Sequence, residues 1–354
     1  MARQAAPRCS PDLSVLKSMS ASPLIALTLG DPAGTGPEII LKALARPEVS
    51  GLGRLLVVGD AATLDRAQTY AGTRLNIRSV NAPAEAEFAP HSIDVLDLKN
   101  VNLSHLQLGR VDPRAGQAAF ESIRRATELA LAGEVGAIVT SAINKAALNA
   151  AGHHFDGHTG LLAHLCSSPG ATMMLVADKL RVSHVSTHVP LRVAIDRVRP
   201  ERIVKVLQLT HDAVRRLGID QPRLAVAGLN PHAGEGGLFG DEEEKFIAPA
   251  IAQARALGLD AHGPFAGDTI FFRTLQGEFD AAVAMYHDQG HVAAKMLGIW
   301  RGVNVTLGLP IIRTSVEHGT DFANAGTGRS DPRSLIEAIR LAVTMAARST
   351  KDAT

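Results

Sequence analysis

Leu24-Ile25-Ala26-Leu27-Thr28-Leu29, then Gly30-Asp31-Pro32-Ala33-Gly34-Thr35-Gly36, then Pro37-Glu38 is the stretch that decides the fold class. The first six residues form an apolar run of strand length, as expected of a strand buried on both faces. The glycines end it. Pro37 stands where a helix can begin, because the first turn does not need its missing N–H. Strand, tight turn and helix in that order open a βα unit, and the same grammar continues outward. Residues 55–58 predict a strand, with Asp60 capping a helix from Ala61. Residues 115–131 predict an amphipathic helix with Ala119, Ile123, Ala126 and Ala130 facing inward and Gly133 as its stop. Further strands are expected at 137–140, 173–177, 182–187, 224–227, 281–285 and 303–307, and helices at 201–217, 242–257 and 332–347. The class is α/β with largely parallel pairing.

The chain has 354 residues, enough for about two domains. Of these, 46% are hydrophobic but only 4% aromatic, so the core is built of Ala, Val, Leu and Ile. The 36 basic and 35 acidic side chains leave a net charge of +1. That balance gives no footprint for nucleic acid or an anionic membrane. No apolar run reaches the roughly 18 residues of a membrane span. Two cysteines, Cys9 and Cys166, make no disulfide framework or metal motif, which fits a reducing cytoplasm. Residues 1–22 are rich in Ser, Ala, Pro and Arg and lack the apolar core of a signal peptide. They are expected to be a disordered extension, and Met19 is a second candidate start.

Three distant segments carry His where a predicted strand runs into a loop. They are Ser186-Thr187-His188-Val189-Pro190, Asn230-Pro231-His232-Ala233-Gly234-Glu235 and Met285-Tyr286-His287-Asp288-Gln289-Gly290. Three imidazoles converging from strand ends would make a divalent metal site, suited to zinc, cobalt or nickel better than to magnesium. Three unrelated loop histidines are the plain alternative. Asp268 and Asp288 stand near these loops as ligands or as groups that orient the imidazoles. His158-Thr159 offers an imidazole and a hydroxyl side by side for a phosphate or carboxylate. Asn304 lies amid apolar strand residues and Arg313 at the far end of the same stretch. Arg presents a planar fork that suits oxyanions, and a strand-end salt bridge is its ordinary alternative. Lys295 follows His287 by eight residues and is a candidate for proton transfer. Two glycine-rich loops, one with Gly30, Asp31 and Gly34, the other with Gly319, Thr320 and Gly326, could receive an anionic cofactor. Neither reads G-x-G-x-x-G, so the ordinary dinucleotide fingerprint is absent. A zinc hydrolase with Glu235 as base, a metal-free acyl-phosphate transferase and a binding protein are the competing classes.

Taken in order, these segments resemble the 4-hydroxythreonine-4-phosphate dehydrogenase family of vitamin B6 biosynthesis, over about residues 24 to 348. Thr28–Glu38, Gly157-His158-Thr159, Thr187-His188, Gly228–Gly237, Met285–Gly290, Asn304–Pro310 and Arg313–Thr320 carry the resemblance. It implies a two-domain fold like that of isocitrate and isopropylmalate dehydrogenases, with a cleft between the domains. Residues 23–145 and 305–354 would form one domain and 146–304 the other. It implies NAD or NADP as oxidant, a divalent metal (zinc, cobalt or magnesium) and a homodimer whose active site is shared. His188, His232 and His287 would hold the metal. His158, Thr159, Lys295, Asn304 and Arg313 would hold a phosphorylated four-carbon hydroxy acid. Lys295, Asp268 and Asp288 would serve catalysis, and Gly30, Asp31, Gly34, Gly319, Thr320 and Gly326 the cofactor. The implied reaction is oxidation of 4-hydroxythreonine 4-phosphate to a 3-keto acid, followed by decarboxylation. Gly160 and His291-Val292 depart from the biosynthetic pattern. The second departure looks more like a paralogous branch acting on threonate or erythronate 4-phosphate, and a dihydrodiol dehydrogenase is a more remote relative.

Overall fold

A computed structural model describes residues 22–298 and 302–349. The expected N-terminal extension, Ser22 apart, lies outside the described residues. Twelve strands form one sheet. They are β1 Leu24–Thr28, β2 Arg54–Gly59, β3 Asn76–Val80, β4 Ser92–Asp97, β5 Ala137–Thr140, β6 Thr172–Ala177, β7 Leu180–His184, β8 Arg223–Ala227, β9 Asp260–Phe265, β10 Ala281–Ala284, β11 Val303–Leu307 and β12 Arg313–Val316. Their order is β3-β4-β2-β1-β5-β12-β11-β6-β7-β10-β8-β9.

The left half of that order is parallel throughout and uses strands from both ends of the chain. The right-hand strands β7, β10, β8 and β9 are also parallel. Between the halves, β12-β11, β11-β6 and β6-β7 pair antiparallel. The class is therefore α/β as expected, with a mixed joint at the centre. The expected domain boundary at 304/305 falls inside β11.

Apolar strands at the sheet centre are covered by helices on both faces. In β1 every residue is buried. The amphipathic helix Pro113–Leu131 starts at Asp112, whose side chain accepts from Arg114 N, and buries Ala119, Ile123 and Ala126. The helix Ala61–Ala71 is capped by Asp60, which accepts from Thr63 N, as the sequence predicts. Three expectations are corrected. The strand expected over 182–187 ends at His184, because after Val185 N bonds the Ala284 carbonyl the chain turns away toward Pro190. Residues 242–257 begin with a π-turn at Glu243–Ile247 before the α-helix Ala248–Ala256. Pro249 has no N–H for the regular i→i−4 bond, so the wider turn precedes it. The stretch 303–313 is not one strand but a hairpin, with Arg313 opening β12 opposite Thr306.

Gly116 shows how closely the site-bearing elements pack. A methyl group there would run into the Ala147 carbonyl of the helix Lys145–Ala150, which carries Lys145 at its first turn. Gly116→Ala gains helix propensity of about 1 kcal/mol, but overpacking costs about 1–3 kcal/mol. The expected outcome is a lower midpoint of thermal unfolding; a higher one would show that the two helices separate freely.

Candidate active site

The hairpin places Arg313 at the junction of the two sheet halves. Its neighbours are β5 on one side, with Arg313 opposite Ile138, and β11 on the other. Arg313 is 1% exposed. Its Nε and Nη2 donate to Thr140 Oγ1 and its Nη1 to Thr306 Oγ1, at 2.6–3.1 Å. No carboxylate stands among these partners, so the strand-end salt bridge is not what holds it. Burial lowers the guanidinium pKa to about 9. A buried cation held only by hydroxyls is costly until an anion arrives.

That anion has a place to go. A cavity of about 230 Å³ is lined by Arg313, His158, Thr159, Asn304, Lys145 and His188. The predicted oxyanion residues, separated by as many as 155 positions, thus meet at one wall, except Lys295, which lies across Glu317. Asn304 Oδ1 and His158 Nε2 are shielded from solvent and have no hydrogen-bond partner. Desolvation first, then the Arg313 charge, holds the His158 imidazole well below its usual pKa. An incoming oxyanion would oppose both effects and draw a proton to Nε2. Lys145 and Glu317 also line this cavity and were not singled out from sequence. Lys145 sits in an Ala/Asn-rich helix start with no motif around it. Glu317 lies 3.5 Å from Lys295 Nζ, and burial raises its carboxyl pKa.

The histidines divide between neighbouring cavities. His188 and His287 line one of about 420 Å³, with ring centroids 5.6 Å apart. His287 is the first residue of the helix His287–Met296, not a loop residue. Its Nδ1 lies 2.6 Å from Asp288 Oδ1, which leaves Nε2 as the outward nitrogen. His188 is held below its usual pKa by desolvation, then by Lys145 and His287, so it is a neutral imidazole near pH 7. His232 lines a separate cavity of about 820 Å³ together with Asp268, Asp288 and Gln289. Among the described residues, no three His, Cys, Asp or Glu side chains of one chain converge on a metal position.

The His232 loop is held in an unusual backbone conformation. His232, Ala233 and Glu235 have φ of 53°, 54° and 44°, a region that costs about 1–3 kcal/mol for each non-glycine residue. The buried Glu243 carboxylate holds it there by accepting from Leu229 N, Asn230 N and Asn230 Nδ2 at 2.7–2.9 Å. Gln289 ties this loop to the His287 loop by donating to the Gly228 carbonyl and accepting from Met285 N.

The two glycine loops pack on each other. Thr35 N and Oγ1 both donate to the Thr320 carbonyl, and a methyl at Gly34 would press on Thr320. Gly30 has φ of 74° and lies against Ser141 and Ala142. Gly319 reaches the oxyanion cavity, and Gly326 packs on Leu108. Asp31 is 1% exposed and accepts from Ala33 N. Burial raises its carboxyl from 3.8 to about 6, against the Ala33 and Asn144 N–H bonds. With the folded value above the unfolded one, the ionised carboxyl opposes folding above about pH 6, and this penalty is gone below about pH 4. Two units correspond to on the order of 3 kcal/mol. Asp31→Asn removes the titration. The wild-type chain is therefore expected to gain stability relative to the variant as pH falls from 7 to 4 in urea unfolding. Parallel pH curves would contradict it.

Comparison with known proteins follows the same lines. Residues 52–342 match the family model described as pyridoxal phosphate biosynthetic protein PdxA. The D-threonate 4-phosphate dehydrogenase of Salmonella typhimurium is 48% identical over 323 residues, 91% of this chain and 98% of that protein. The enzyme of the same name from Cupriavidus necator is 48% identical over 327 residues, covering 92% and 98%. The crystal structure of 4-hydroxythreonine-4-phosphate dehydrogenase from Klebsiella pneumoniae superposes with a TM-score of 0.85 at 48% identity, covering 92% of this chain and 100% of that one. A terephthalate 1,2-cis-dihydrodiol dehydrogenase from Burkholderia xenovorans is more distant, at 30% identity and a TM-score of 0.67 over 91% of this chain and 98% of that one. With most of its length matched by the family model and by dehydrogenases nearly half identical to it, the chain belongs to the PdxA family of dehydrogenases.

Proposed function

We propose that this enzyme oxidises a phosphorylated four-carbon hydroxy acid with NAD or NADP, and that its substrate is D-threonate 4-phosphate or D-erythronate 4-phosphate. The observation that carries the proposal is the oxyanion wall, where the buried Arg313 lacks a carboxylate and His158 Nε2 lacks a partner. A phosphate is the group such a wall suits best. The curated relatives' names favour the sugar-acid phosphates over the 4-hydroxythreonine 4-phosphate implied by the first resemblance. The latter stays as the second reading, on the name of the solved relative.

In this reading Arg313, His158, Thr159 and Asn304 grip the phosphate and set the position of the reacting carbon. Lys295 Nζ, paired with Glu317, orients the substrate carboxylate and carries a proton at the keto-acid stage. Asp268 and Asp288 flank the histidine loops, and Asp288 fixes the His287 tautomer. The donor chemistry fits a divalent ion, zinc, cobalt or magnesium, because His188 is neutral and His287 is oriented by a carboxylate. When bound, the metal supplies Lewis acidity and the nicotinamide a hydride acceptor. The loops around Gly30, Asp31, Gly34, Gly319, Thr320 and Gly326 would shape the cofactor side. They lie with residues 23–145 and 305–354 as one domain, against 146–304 as the other.

One chain keeps His232 apart from His188 and His287, so a shared site in a homodimer is part of the proposal. The exposed apolar face supports it. Phe272 (66% exposed) and Val292 (60%) line the His232 cavity, and Met296 (82%) lies one turn after Val292 on the helix His287–Met296. Exposed apolar groups at such density mark an interface. Met296→Glu is expected to shift the sedimenting species from dimer to monomer with loss of activity; a monomeric wild type would refute the shared site.

The deciding assay is NADH formation by metal-stripped enzyme, with and without added zinc, cobalt or magnesium. Metal-dependent turnover is expected with the threonate and erythronate phosphates and at least tenfold less kcat/KM with 4-hydroxythreonine 4-phosphate. The reverse preference would restore the biosynthetic assignment. Arg313→Lys, which loses the planar fork, is expected to raise KM for the phosphorylated substrate tenfold or more, with a smaller effect on kcat.

A further inference from the structure

We infer that His291, backed by His184, is a positioning residue that fixes the ring plane of His287. The inference rests on the reading of His287 as a metal ligand. Residue 291 lies one helical turn after 287, so their side chains share a face. The two imidazoles stack with centroids 3.6 Å apart and planes 15° from parallel. His291 Nδ1 lies 3.1 Å from His184 Nε2 and 3.1 Å from the His287 carbonyl. A single Nδ1–H shared between those two acceptors satisfies the geometry and leaves His184 Nε2 unprotonated.

His184 ends β7 and is 0% exposed, so the far end of the arrangement is anchored in the sheet. His291 is 6% exposed. Gly290 makes room for the pair, since a methyl there would meet His184 Nε2 and the Val182 side chain. Asp288 holds only one edge of the His287 ring and is itself exposed. It fixes which nitrogen bears the proton but leaves the ring free to swing. The stacked His291 removes that freedom. Apolar side chains at 184 and 291 would fill the same space without the cost of burying polar nitrogens, and they would lack the hydrogen bonds that lock the stack.

The test uses Co²⁺ alone as the probe, added to metal-stripped full-length protein and read by its visible absorption band and by calorimetry. His287→Ala is expected to abolish the band. His291→Leu is expected to weaken Co²⁺ binding about 10–100-fold and to change the band, the range seen when an outer group that orients a metal ligand is lost. His291→Asn retains a polar group toward His184 but removes the ring, and carries the same expectation if Leu impairs folding as judged by circular dichroism. Wild-type affinity and an unchanged band in either folded His291 variant, with binding lost in His287→Ala, would overturn the inference and keep His287 as a ligand. Unchanged binding in His287→Ala would instead remove the ligand reading, and the inference with it.

Discussion

The structure turns on one buried charge. Arg313 sits where the parallel half built from both chain ends meets the half built from the middle of the chain. Only hydroxyls of Thr140 and Thr306 meet its guanidinium. A buried arginine without a carboxylate is unfavourable on its own, so the site is unfinished until an anion joins it. The antiparallel hairpin β11-β12 makes this possible. It brings Arg313 beside Thr306 on one strand and beside β5 on the other, so the cation opens onto the cavity shared by His158, Asn304 and Lys145.

The histidines follow a different logic. His188 is kept neutral, ready to act as a ligand, by partial burial, and Asp288 orients the His287 ring. His232 stands apart on a strained loop that Glu243 holds open. Strain of this kind persists only where surrounding bonds over-determine it. In the proposed shared site one chain would supply part of the donor set, and the exposed apolar groups beside His232 would form the contact with a second copy.

Family membership and substrate are separate questions in this chain. A dehydrogenase frame nearly half identical to its relatives is compatible with more than one phosphorylated four-carbon acid. In the proposed reading the phosphate end would be held by groups that any such acid would meet. In that reading discrimination would lie around the reacting carbons, near the stacked pair His287 and His291.

The sequence by itself determined the local units. The apolar run 24–29, Pro37, Asp60 and the periodicity of 115–131 act through neighbours in the chain, so strand, cap and helix could be read directly. The candidate residues of the oxyanion wall were also legible, because an Arg and an Asn amid apolar residues demand partners. Only the tertiary structure decided the rest. The edge strand β3, its neighbour β4 and the β11-β12 turn are specified by pairing with distant segments, and short strands carry little period of their own. The roles of Lys145, Glu317 and His184 depend on which side chains face them from remote elements. The three histidines looked equivalent in sequence, yet the strand order sends His232 to a different cavity from the other two. Spacing along a chain sets which faces a residue can present, and the strand order sets what those faces meet.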